Sequence, residues 1–243
     1  MPTLHRSRVF VKIGHGVHSE VFHRPGSRFV VQVFRPDCPE LTVDKLHREY
    51  AYLCAVYSAM PKLIPRQRLV APRADASLQD SVLVKDYIPH DPELALRRVD
   101  PARLGPRTVD QIRRFLRITR GLLADTRTHP NVGSEVSMVP DIIDPDWANL
   151  VVDIRNGDLT LIDTNRLIST HKLARLHAAG QPLDVAHRRI HALLLRRLMY
   201  LESKYLGRAR AVLVRDPVYT RYLDSAGFEE LFAASAAAGE HIR

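Results

Sequence analysis

The chain has little cysteine, one tryptophan, few lysines and no long uncharged apolar run. Its two cysteines, Cys38 and Cys54, are too few for a disulfide framework and lack the spacing of a metal-ligand set. No window approaches the roughly 18 uncharged apolar residues that a membrane span requires. The opening Met-Pro-Thr-Leu-His-Arg-Ser-Arg has no apolar core of the kind a signal peptide carries. These absences argue against a disulfide-stapled secreted scaffold and a membrane-spanning protein, and they place the chain in the cytoplasm. Disorder is disfavoured too, because 45% of the residues are apolar. At 243 residues the chain can bury a sizeable core, as one large domain or two closely joined lobes.

Acidic residues are scarce in the last third. Between Asn165 and Ser225 twelve Lys or Arg face four Asp or Glu, which accounts for +8 of a net charge of +9. A local positive field attracts nucleic acid, phosphorylated partners or anionic lipid, and it repels polycationic ligands. A solvated Arg-rich face is the plain alternative, since Arg outnumbers Lys 30 to 6 over the chain.

The first ninety residues read as a small sheet with one helix. β-Branched and aromatic runs at 8–13, 20–23 and 28–34, separated by His-Gly and Pro-Gly, predict three antiparallel strands. Leu46, Tyr50, Leu53, Cys54 and Tyr57 recur at helical intervals and predict an amphipathic helix over 41–60. Strands at 67–71 and 81–87 complete a lobe spanning 1–88. Beyond Pro89 the pattern turns helical, with Val109, Ile112, Leu116 and Leu123 on one stripe and Arg113, Arg117 and Arg120 opposite. Short strands at 150–152 and 159–162 flank Asn156-Gly157, a hairpin signal that brings Asn149 and Asp163, at its two ends, together. A long helix over about 184–206 buries Ile190, Leu194, Leu198, Leu201 and Tyr205 and turns Arg189, Arg196, Lys204 and Arg208 outward. The helical lobe covers 89–233, and an Ala-rich tail, 234–243, is expected to fray.

Against this layout several short motifs fall in one order. Ile13-Gly14-His15-Gly16-Val17-His18-Ser19-Glu20-Val21 joins the first two strands, Glu49 lies on the helix, and Val84-Lys85-Asp86-Tyr87-Ile88 ends the last strand of the lobe. Asp-Pro-Asp-Trp-Ala-Asn then sets Asp144 five residues before Asn149, with Asp163 fourteen residues further on. Singly each is common: Gly-x-Gly is usually a tight turn, and an Asp-x4-Asn pair usually caps a loop. Together, in sequence and spacing, they resemble the protein-kinase-like superfamily over residues 8–205. The resemblance implies an α+β, two-lobed fold with a small antiparallel-sheet lobe and a mainly helical one. It also implies ATP and Mg2+ as cofactors and a phosphoryl acceptor that is a protein or other anionic partner.

Residue by residue, the resemblance makes Asp144 the base beside the attacking hydroxyl and assigns Asn149 and Asp163 to magnesium. Gly14, Gly16 and Ser19 would lie along the phosphates. Ile13, Val21 and Val30 would cover the adenine, with Val84 at the back and the backbone of Lys85, Asp86 and Tyr87 on its edge; the apolar positions are equally ordinary core. Gln32 stands where the family places the lysine that pairs with Glu49 and grips phosphate. A glutamine can hydrogen-bond Glu49, but it brings no positive charge. Lys12, Arg28 and Arg35 are the candidate replacements. Ile142-Ile143 before Asp144, Asp146 after it, and the absence of an Ala-Pro-Glu anchor are further departures, and Trp147 is either a stacking or a packing residue. Two readings therefore stand, an active phosphotransferase and a catalytically impaired pseudokinase that binds nucleotide or protein.

Overall fold

A computed structural model describes residues 9–16, 18–36, 41–73, 76–125, 137–142, 149–165, 167–170, 173 and 185–243. The fold class is α+β. Two compact units are present: Met1–Tyr52 with Pro65–Pro89, and Leu53–Ile64 with His90–Arg243.

The first unit is built on five antiparallel strands, β1 (Val11–His15), β2 (Ser19–His23), β3 (Phe29–Phe34), β4 (Gln67–Val70) and β5 (Val82–Asp86), in the order β1-β2-β3-β5-β4. This is the small antiparallel sheet expected from the sequence. Gly26, at φ 80°, makes the turn between β2 and β3, a conformation that costs glycine little. Alternation along β3 buries Val30, Gln32 and Phe34 on one face. Helix α1 (Val43–Val56) follows, and its Leu46 joins Phe34, Leu41, Leu78 and Leu83 in a closed apolar cluster. One expectation for this helix is corrected: Cys54 is exposed, and Glu49 takes a buried place on the inward stripe. A carboxylate scores as polar in any apolar count, so periodicity passes over it.

In the second unit, α2 (Pro106–Ala124) starts with Gly105 as cap and Pro106 in its first turn, where a missing N–H removes no helical bond. It buries Ile112, Phe115, Leu116 and Leu123, each contributing about 1.5–3 kcal/mol relative to exposure. The long helix α3 (Val185–Leu206) packs Leu194, Leu198, Leu201 and Tyr205 into the same core. Two small antiparallel pairs lie between these helices in sequence: β6 (Met138–Pro140) pairs with β9 (Leu167–Ser169), and β7 (Leu150–Val152) with β8 (Leu159–Leu161). A single helical turn, α4 (Arg210–Leu213), and α5 (Ser225–Ala237), capped by Asp224 through the Gly227 N–H, complete the unit.

Many of the basic residues point inward rather than to solvent. Glu202 and Asp216, both buried, are held by Arg120 and Arg208: Arg120 reaches Asp216 Oδ1 at 2.5 Å and Arg208 reaches Glu202 Oε2 at 2.7 Å. Arg208 also bonds Asp216, and the hydroxyl of buried Tyr219 donates to Glu202 Oε1 at 3.0 Å. Burial raises the Glu202 carboxyl above the usual range despite these donors. For Asp216 burial acts in the same sense, but Arg120, the Val218 N–H and Arg208 outweigh it and hold the group low. The Ala-rich end is likewise held: buried Glu240 lies 3.2 Å from Arg196 Nε and 3.5 Å from both Arg97 and Arg197. Composition predicts fraying there; three guanidiniums around one carboxylate oppose it.

Lys204 was expected outward as well. Its Nζ instead donates to the carbonyls of Leu96 and Arg97, both at 2.9 Å, and lies 5.6 Å from the ring centres of Tyr200 and Tyr205. Burial lowers its pKa from 10.5 to about 8. Between these values the unfolded chain binds the proton that the folded chain has lost, so this group makes stability rise with pH from about 8. Burial raises the Tyr205 and Tyr222 hydroxyls, which has the opposite effect once free tyrosine ionises near pH 10. Thermal melts from pH 7.5 to 9.5 should therefore show a rise in midpoint that Lys204→Met flattens; an unchanged slope in the variant would refute the assignment.

Candidate functional site

In the first unit the sheet register decides which side chains share a face. Val21 pairs with Gln32, Gln32 with Leu83, and Val30 with Lys85. Directly opposed residues lie on the same side of a sheet, so Val21, Val30 and Gln32 stand together there, joined by Leu83 and Lys85. Gln32 and Ser19 are both buried, and Gln32 Nε2 donates to Ser19 Oγ at 2.7 Å. The glutamine therefore ties β3 to the start of β2. Glu49 is buried in the same unit.

One expectation is corrected by this register. Val84 opposes Val31 and stands on the other face from Val30 and Gln32; the buried positions of β5 are Leu83 and Lys85. Strand alternation gives each strand two faces, but only the pairing phases one strand against the next. The N–H groups of Asp86 and Tyr87 are bonded within the unit, to the carbonyls of Arg66 at 3.0 Å and Arg28 at 2.9 Å. Asp86 pairs at the surface with Arg66, and Tyr87 stacks on His23 with centroids 3.9 Å apart.

The glycine segment starts within β1, at Ile13 and Gly14, and leads into β2. A register shift between Lys12 and Gly14 leaves Ile13 at an irregular, exposed position, and the Gly16 N–H donates to the Ser19 carbonyl at 2.8 Å. Neither Gly14 nor Gly16 has a positive φ. A methyl group at Gly14 would meet Val21 at 3.7 Å and one at Gly16 would meet the Ser19 carbonyl at 3.9 Å, ordinary contacts in both cases. Backbone strain and packing within the fold thus do not require these two glycines. A backbone without side chains leaves room beside it, as close approach to a phosphate would need.

The second unit brings Asn149 and Asp163 to one end of a hairpin. β7 and β8 pair Leu150 with Leu161, Val151 with Thr160 and Val152 with Leu159. The Ile162 N–H donates to the Asn149 carbonyl at 2.8 Å, extending the ladder by one step, and Asp163 is the next residue. The opposite end turns through Gly157, at φ 72°, and is clamped by the first turns of α2. Arg107 and Gln111 donate to Asp158 Oδ1 at 2.6 and 2.9 Å, Gln111 Oε1 accepts the Leu159 N–H, and Thr108 donates to the Gly157 carbonyl at 2.7 Å. On the far side of the ladder, Leu161 N–H and the Thr160 hydroxyl donate to the carbonyls of Leu63 and Lys62.

Each of the two polar groups is oriented locally. Asn149 Nδ2 donates to the Asp141 carbonyl at 3.0 Å, which sets the direction of its amide, and Asp163 Oδ1 accepts the Asn165 N–H at 3.0 Å in a tight Asx turn. An amide oxygen and a carboxylate suit a hard divalent cation. Among the described residues no three His, Cys, Asp or Glu side chains gather as a metal cluster, and no helix is long and apolar enough to cross a membrane. Asp144, Asp146 and Trp147 lie outside the described residues. Sequence reasoning missed buried Asp141 and gave Lys85, also buried, a backbone role alone. Only their place at strand ends beside named motifs could have marked them.

No family model matches the chain, and no curated protein matches it. Among solved structures it is similar to the choline kinase LicA from Streptococcus pneumoniae, with 12% identity over 96% of this chain and 93% of that one. The TM-score is 0.36, and neither the architecture described above nor the function proposed below rests on this likeness.

The glycines divide into two kinds, and stability should separate them. At Gly157 a methyl group would sit 3.0 Å from Thr108 Oγ1 on a left-handed backbone, so Gly157→Ala should cost about 1–2 kcal/mol. Gly14→Ala and Gly16→Ala should change stability by less than about 0.5 kcal/mol. Urea denaturation of the three variants tests this; a large loss at Gly16 would show that glycine to be structural.

Proposed function

We propose that the chain is an ATP- and magnesium-dependent phosphotransferase of the kinase-like type, acting in the cytoplasm on a protein or other anionic partner. The observation that carries this reading is the hairpin. Two polar side chains fourteen residues apart, already named by the motif order, stand at adjacent positions of one ladder end, each with its direction set by a backbone bond. The permissive glycines at 14 and 16 support it from the first unit.

In this reading Asn149 and Asp163 hold the cation through the amide oxygen and the carboxylate, and the Asp141 carbonyl and the Asn165 N–H keep both side chains from turning away. Magnesium, when bound, neutralises charge on the nucleotide phosphates. In the first unit the backbone at Gly14 and Gly16 would allow close approach of a nucleotide phosphate, and Val21 and Val30 would offer an adenine an apolar face. Asp144 orients the acceptor hydroxyl and takes its proton as the oxygen bonds to the γ-phosphorus; the bond to the bridging oxygen breaks and ADP leaves.

A second reading, a pseudokinase that senses nucleotide or binds protein, is favoured by one observation: Gln32 is neutral and bonded to Ser19. A nucleic-acid partner draws less support, since Arg120, Arg196, Arg197, Lys204 and Arg208 have partners inside the second unit.

Labelled ATP separates the readings. With magnesium, the protein or a lysate target should take up γ-phosphate, and Asp144→Ala, Asn149→Ala and Asp163→Ala should each lower the rate by about 100-fold. Label that persists in both aspartate variants sinks the proposal. A thermal shift on adding ATP and magnesium without any transfer selects the pseudokinase reading.

A further inference from the structure

Gln32 leaves a deficit of charge that the sequence alone cannot fill. Transfer of a phosphoryl group concentrates negative charge, and a fixed cation beside the phosphates stabilises it. The three cations nearest in sequence have other partners. Lys12 lies 2.6 Å and Arg35 3.6 Å from Glu20, which opposes Val33, and Arg28 lies 5.0 Å above the Phe29 ring, whose residue opposes Asp86. Glu20 and Phe29 are on the face opposite Gln32.

Lys85 differs from all three. It is only 6% exposed, and its register with Val30 puts it on the same face as Gln32. Since Gln32 opposes Leu83, Lys85 is its diagonal neighbour, about 7–8 Å away between backbones and within reach of a long side chain. A lysine is almost never so buried without a partner, because removing its charge from water is costly. Glu49, equally buried at 6%, supplies a carboxylate in the same unit. The packing relates the two: Leu46 and Leu83 share one apolar cluster, Glu49 lies three residues beyond Leu46 on α1, and Lys85 lies two residues beyond Leu83 on β5. Residues three apart on a helix share a face, as do residues two apart on a strand.

We infer that Lys85 and Glu49 form an ion pair in the first unit, and that the Lys85 ammonium, arriving from β5 instead of β3, supplies to the nucleotide phosphates the charge that Gln32 lacks. The lysine–glutamate pair is thereby kept while its lysine has moved one strand across the sheet. Gln32, bonded to Ser19, then has a structural task, tying the glycine segment to β3. The phosphate half of this inference rests on the function proposed above; the pair itself does not.

Two measurements test the halves separately. Without ligand, thermal melts of Lys85→Met, Glu49→Gln and the double variant form a cycle. Each single change should lower the midpoint by about 5 °C or more, and the double should lower it by clearly less than the sum. Additive losses overturn the pair. With a fluorescent ATP analogue and magnesium, Lys85→Met should weaken binding by about tenfold or more, and adding Gln32→Lys to that variant should restore most of it. Wild-type affinity in Lys85→Met overturns the phosphate role. Should Lys85→Met fail to fold, Lys85→Met with Glu49→Leu removes both buried charges, and binding is read on that protein. Wild-type protein that binds no nucleotide overturns the proposed function together with the phosphate role, and the ligand-free cycle still judges the pair.

Discussion

The pairing register of β3 governs the chemistry of the first unit. Strand alternation divides β3 into two sets of three side chains, and the bonds to β2 and β5 determine which neighbours join each set. A slip of β3 by one residue would carry Gln32 and Val30 to the outside, detach Ser19 from Gln32, and leave Lys85 without its neighbours on that face. Phe34 would leave the cluster that seats Leu46. Apolar packing of the helix and placement of polar side chains are therefore one constraint. The cluster makes the slip expensive, and the polar residues keep their face as a consequence.

The second unit handles charge differently. Its last third is strongly basic in sequence, and three of those arginines, Arg196, Arg197 and Arg208, turn onto the buried carboxylates Glu202, Asp216 and Glu240. Buried carboxylates of this kind are strongly destabilising when one partner is removed, because the other is left unpaired. Arg suits the task better than Lys: its planar fork donates to two acceptors at once, as Arg208 does to Glu202 and Asp216. The surplus of Arg over Lys thus has a structural use here, independent of any anionic partner.

The order of the first five strands, α1, α2, the β7–β8 hairpin and α3 was legible in the sequence because alternation and helical spacing are local properties, whereas the three-residue strands β6 and β9 are too short to show a period. The hairpin was legible too, since Asn156-Gly157 between two short β-branched runs is a strong turn signal, and with it came the approach of Asn149 to Asp163. What sequence could not supply was the phase between strands. Val84 and Lys85 are adjacent, and choosing which one faces Gln32 requires the pairing of β5 with β3. Long side chains were the other difficulty. Lys204 lies on, and Arg208 just beyond, a helix whose apolar stripe was legible, but a flexible cation can turn back to a carbonyl or a buried carboxylate, and no periodicity records that.

The two polar residues at the end of β7 and β8 are separated by only a short ladder and anchored by their own neighbours. Their spacing is consequently set within about fifteen consecutive residues, which α2 clamps at the turn and the Asp141 carbonyl steadies at the open end. Such a segment behaves like a pair of calipers with a fixed jaw width: sequence drift elsewhere can change what is presented to it, but not the gap it measures. Insertions in the turn near Gly157 should leave that gap intact, whereas deletion of one residue from β7 would reset it, and this asymmetry marks which changes a chain with this architecture can accumulate.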